Sequence, residues 1–241
     1  MTHLRRGLLA GLVAGLLAGL FGFALGEPIL DRAIALEQRA EGHAAADHHD
    51  EAEVFGRGEQ KGGLFLATGV YGGAIGSLFG LSYVFFGGRL RGSGWGRSLG
   101  LALAIFAGAV LVPFLKYPPN PPGVGVDPGT LTARTLSYLA LAALSLLAVF
   151  FAWRLGRELG GLSTPARHLA VGAFLVVSWG ILLFLMPGYE GAAAGEAPAD
   201  LVWVFRLASL GTQAVLWAGI GCVFGLLSER SARAVPGGEP G

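Results

Sequence analysis

The chain is 241 residues long, 53% hydrophobic and 14% charged, against about 45–50% and about 25% in soluble domains. That balance excludes an ordinary soluble fold. With a formal net charge of +1 and no basic patch interleaved with aromatics, no nucleic-acid partner is expected, and the single cysteine, Cys222, excludes a disulfide framework within the chain.

Six apolar segments approach or exceed the ~20 residues that a helix needs to cross a hydrocarbon core. They are about 7–26, 63–86, 98–115, 134–153, 168–186 and 201–227. The predicted fold class is all-α: a polytopic transmembrane helix bundle with glycine-rich packing, one integral membrane domain over 1–230 and a short disordered tail at 231–241. In the first segment Gly7, Gly11, Gly15 and Gly19 recur every four residues, which strips one helical face to bare backbone and lets a neighbour approach closely. Arg5 and Arg6 before an apolar run that ends at Ala24-Leu25-Gly26 also fit a secretory signal. The run Leu8 to Leu25 is longer than the usual h-region of about 7–15 residues, so it is read as a retained span.

The loop 27–62 follows. Pro28 is placed to open a helix whose apolar residues Ile29, Ala33, Leu36 and Ala40 share a face, and that helix is expected to lie on the outer surface. Beyond it, EGHAAADHHDEAE holds three of the chain's five histidines, His43, His48 and His49, among the acids Asp47, Asp50 and Glu51. Neutral imidazoles with carboxylates suit borderline divalent ions such as zinc, nickel or cobalt, and the lack of thiols or a methionine run speaks against monovalent copper. These six residues are the candidate metal ligands. Gly42 argues against a helix continuing through His43; with continuation, His43 would share a face with Asp47 and Asp50.

The second segment repeats the small-residue device at Gly69, Gly73, Gly76 and Gly80. The third is the shortest and admits a re-entrant alternative. After it, KYPPNPPGVGVDPG is a stiff extended segment with few backbone donors, a lid or spacer. In the sixth segment Arg206, Ser209 and Gln213 share one helical face and are expected to look into the bundle. Arg206 and Arg134 lie near the outer ends of their spans, within reach of the headgroups or of Glu27. No carboxylate lies at mid-depth.

Ten basic residues flank the spans on the side of the two termini and five on the other, where 13 of the 16 acids also lie. By the positive-inside rule both termini are cytoplasmic and the histidine loop faces outward. No Walker A loop, HExxH, GxSxG, CxxC or dinucleotide fingerprint occurs. The chain is therefore read as a non-enzyme with no permanently bound cofactor.

The opening GLLAGLVAGLLAGL, the outer Asp47-His48-His49-Asp50-Glu51, and above all YPPNPPG at 117–123 and FRLASLGTQ at 205–213 resemble the probable cobalt transporter subunit family, CbtA, over nearly the whole chain. That resemblance implies an inner-membrane protein that imports Co2+ for cobalamin synthesis, beside a small single-span partner with histidine-rich sequence. The residues alone support an outward nitrogen and oxygen site on a six-helix bundle embedded in lipid. A membrane scaffold or accessory subunit that moves nothing itself is the alternative.

Overall fold

The computed structural model describes residues 2–44, 57–121, 128–189 and 198–233. Among them every regular element is helical: α1 (His3–Phe21), α2 (Glu27–Ala44), α3 (Arg57–Phe86), α4 (Gly94–Phe106), α5 (Val112–Lys116), α6 (Leu131–Glu158), α7 (Thr164–Leu185) and α8 (Ala199–Arg233). One π-helical turn, Gly22–Gly26, joins α1 to α2, and another, Ala107–Leu111, joins α4 to α5. Six stretches are long and apolar enough to cross a membrane: His3–Leu36, Gly63–Arg89, Gly94–Lys116, Leu131–Gly161, Thr164–Leu185 and Ala199–Ser231.

The third stretch is thus a continuous helix of 23 residues that runs unbroken through its π turn, and the re-entrant alternative falls. The expected separate surface helix is corrected too. Glu27 continues from the π turn with φ −58° and ψ −43°, so Pro28 sits within a helix that began at His3. Its apolar face is used: Ala33 is buried and α2 packs on α8. Gly42 does not stop it, because a glycine costs only about 1 kcal/mol inside a helix. At the other end, α8 carries helix to Arg233, three residues into the expected tail.

The helices alternate in direction. α1 lies antiparallel to α3, its Gly7 against Gly76 and Gly80 and its Gly19 against Thr68. It is also antiparallel to α8, with Ala14 beside Gly219 and Phe21 beside Gly211. A Cβ added at Gly11 would run into the Gly72 carbonyl and stand 2.8 Å from the Gly76 Cα, so these positions tolerate no side chain. The face of α3 that meets α1 is Thr68, Gly72, Gly76 and Gly80. Gly69 and Gly73 border α1 as well, one helical position round, where an added Cβ would meet the α1 side chains of Leu16, Leu12 and Leu8 at 3.2–3.4 Å and not backbone.

Small residues on α1 set the core at the junction of α1, α3, α4 and α8. Ala10, Ala14 and Ala18 are buried with Phe79, Ala102, Leu216, Ile220 and Phe224. Phe79 meets Phe224 edge-on at 5.2 Å between ring centres, an arrangement that favours aromatic pairs beyond their buried area. α4 is tied to α8 by the buried Ser98 hydroxyl, which donates to the Gly221 carbonyl at 2.8 Å. α7 sits at the edge on α6 with no buried residue, and its exposed Leu169, Val176 and Phe184 suit a lipid-facing helix.

Candidate functional site

Because the six spans alternate, the junction of α1 with α2, residues 117–121 after Lys116 and residues 186–189 after α7 share the end of the bundle opposite His3. His43 stands in the last turn of α2. Asp47, His48, His49, Asp50 and Glu51, the other expected ligands, lie outside the described residues. Among the described residues no group of three or more His, Cys, Asp or Glu is placed to hold a metal ion.

What the structure does build at this end is a clamp on the proline-rich segment. Arg206 donates from Nη2 to Asn120 Oδ1 at 2.7 Å and from Nε to the Pro119 carbonyl at 3.3 Å. The expectation was the headgroups or Glu27; the hydrogen bonds of Arg206 run to the proline-rich segment. Glu27 itself is half-buried at the start of α2. Ser209 and Thr212 spend their hydroxyl protons on their own helix, at the carbonyls of Phe205 and Ala208, each at 2.9 Å. Gln213 is half-buried one turn below Ser209.

Around the clamp, Lys116 Nζ donates to the Leu183 carbonyl at 2.9 Å and the Tyr117 hydroxyl to the Pro187 carbonyl at 2.8 Å. The Arg134 guanidinium lies 5.4 Å above the Tyr189 ring, whose hydroxyl shares a 2.7 Å hydrogen bond with Ser137. Burial pushes the Tyr117 phenol above its usual pKa, so it stays a neutral donor. The resulting cavity of about 390 Å³ has Lys116, Arg134 and Arg206 in its wall and, among its described lining, no carboxylate. Such a wall repels a bare divalent cation. Lys116 and Tyr117 open the proline-rich motif and Arg134 stands near the outer end of its span, but no motif revealed Tyr189, and the four meet only when three chain segments fold together.

The profile of the family described as "Probable cobalt transporter subunit (CbtA)" matches residues 1–229. The chain belongs to the CbtA family. Neither a search of curated proteins nor one of solved structures found a match. The two segments most typical of the CbtA resemblance, YPPNPPG and FRLASLGTQ, are the two that Arg206 joins across 86 residues of chain. Their pairing gives both segments a physical reason: a charged donor on a rigid helix fixes a backbone that has few donors of its own.

Arg206→Gln should therefore release residues 117–121. A hydrogen bond to a charged partner contributes about 1.5–3 kcal/mol, and thermal unfolding in detergent should report a loss of that order. Faster proteolysis at the loop should accompany it. Arg206→Lys, which keeps the charge but cannot reach both oxygens as a planar fork, should recover part of the loss. Identical melting and cleavage in all three proteins would rule the clamp out.

Proposed function

We propose that this CbtA subunit takes up divalent cobalt, or a similar transition-metal ion, through the cytoplasmic membrane. His43, Asp47, His48, His49, Asp50 and Glu51 form its external capture site. The family match over residues 1–229 carries the reading; the donor chemistry of the loop supports it, since imidazole and carboxylate together bind borderline divalent ions. Both termini are cytoplasmic, on the arginine count. Uptake then serves cobalamin synthesis, with a small single-span histidine-rich subunit as the partner that completes the ligand set.

A second reading rests on a specific observation. In the described spans the acids are Glu27, Asp31, Glu158, Asp200 and Glu229, none of them at mid-depth. Glu27 stands ~36 Å of helix beyond His3, past a hydrocarbon core of ~30 Å. A cation path ordinarily shows acids or broken helices at mid-depth. An accessory subunit that captures the ion and hands it to a partner fits that core.

Labelled cobalt accumulation in cells that express this chain, with and without the small partner, separates the readings. Accumulation above background with this chain alone supports transport by it; accumulation that needs the partner supports the accessory role; none in either case overturns both. A reporter fused after Gly241 should read as cytoplasmic, and a periplasmic signal would invert the capture site.

A further inference from the structure

At the His3 end of the bundle, an apolar groove of about 620 Å³ runs between the end of α3, the start of α4 and the second half of α6. Its walls include Phe86, Ala104, Leu146, Phe150 and Trp153. From Trp153 to Ala143 it follows ~15 Å of α6. Arg91 and Arg97 stand at its mouth. Arg97 is shared with a second cavity of about 450 Å³, lined by His3, Arg6, Ser228 and Glu229 among others.

The second cavity mixes polar and apolar walls, and several of its polar groups have unmet hydrogen bonds. The Nε atoms of Arg6 and Arg97, Ser228 Oγ and His3 Nδ1 are each buried with no hydrogen-bond partner among the described residues. Buried polar groups rarely go unpartnered, because each costs about 1–3 kcal/mol. Arg97 is otherwise held in place by its Nη1, which donates to the Gly87 carbonyl at 3.0 Å. Because Arg97 lines both cavities, a fixed guanidinium stands at their junction.

We infer that the two cavities together bind one anionic phospholipid, with the phosphate at Arg97 and Arg91, the polar headgroup in the chamber beside Arg6 and Ser228, and an acyl chain along the groove. The charge decides the lipid class. A zwitterionic headgroup would bring a cationic amine among Arg6, Arg91 and Arg97 with one carboxylate to meet it, Glu229, which already accepts the Trp95 backbone N–H at 3.3 Å, whereas an anionic head such as glycerophosphate adds only hydroxyls, which Ser228 and Glu229 can meet. Basic pockets between transmembrane helices select anionic headgroups on this principle. The site lies at the opposite end of the protein from the histidine loop and stands independently of cobalt uptake.

The full chain reconstituted in phosphatidylcholine nanodiscs, with and without phosphatidylglycerol, tests the site. Phosphatidylglycerol should raise the melting temperature and be retained on purification in preference to phosphatidylethanolamine. R91Q combined with R97Q should lower that retention about thirtyfold, the order expected for two arginines at an anionic headgroup. Because loss of Arg97 also frees Gly87, G100F provides the second variant: Gly100 lines the groove and its Cβ direction meets nothing within 4 Å. It should fill the acyl groove and reduce retention while leaving the melting temperature in pure phosphatidylcholine unchanged. Equal stabilisation by both lipids, or full retention in both variants, would overturn the site. Stabilisation by inorganic phosphate in phosphatidylcholine discs, undiminished by G100F, would overturn the lipid in favour of a soluble phosphate.

Discussion

Cells that express the protein with His43, His48 and His49 all changed to alanine are expected to accumulate labelled cobalt at least about tenfold more slowly than the unmodified protein. Even partners that only orient metal ligands cost about 10- to 100-fold when removed, and here the nitrogen donors themselves are lost. All three lie outside the six apolar segments of the sequence, so the amount of protein in the membrane should not change. Acid should imitate the substitution. An imidazole binds metal only when neutral and has an ordinary pKa of about 6.5, so uptake by the unmodified protein should fall as pH drops through that region. Asp47, Asp50 and Glu51, with ordinary values near 4, remain charged there and leave a weaker oxygen site. A triple variant that matches the parent at every pH would remove the capture site from both readings and leave a membrane scaffold that moves nothing itself.

The largest expected effect on folding is at the contact between α1 and α3. Leucine at Gly11 or Gly76 should strip the protein of its folded, monodisperse state in detergent. A Cβ at Gly76 would run into the Gly7 carbonyl and lie 2.6 Å from the Gly11 Cα, and both neighbours are backbone, which cannot turn aside. Overpacking a core costs about 1–3 kcal/mol when side chains can move; separating two helices along a whole seam should exceed that. The loss should spread to α8, because Ala10, Ala14 and Ala18 of α1 pack in the cluster that holds Leu216, Ile220 and Phe224. Gly172→Ala and Gly180→Ala in α7, where an added Cβ meets nothing within 4 Å, are the contrasting pair and should melt at or slightly above the parent. If Gly11→Leu elutes and melts like the parent, the seam does not hold the bundle together.

The six spans and the all-helical class were legible because crossing a bilayer forces each helix to satisfy its own backbone and expose apolar side chains, a demand written locally in every segment. Helix continuation was less legible. Pro28 and Gly42 look like punctuation, yet α2 runs through both because its Ala33 face packs on α8. Of the expected metal ligands, His43 lies in the last turn of that helix and the other five lie outside the described residues.

The sequence by itself determined where helices cross, which end carries the histidines and acids, and which family motifs are present, since composition, charge and motif are properties of single segments. Tertiary structure alone decided which α3 face meets α1. Two overlapping small-residue registers are available there, and only Thr68-Gly72-Gly76-Gly80 lets the α1 backbone approach without displacing leucines. It also decided that Arg206 clamps Asn120. No local pattern encodes a bond between residues 86 positions apart; the packing of α1 and α4 on α8 brings both ends of that bond to one end of the bundle.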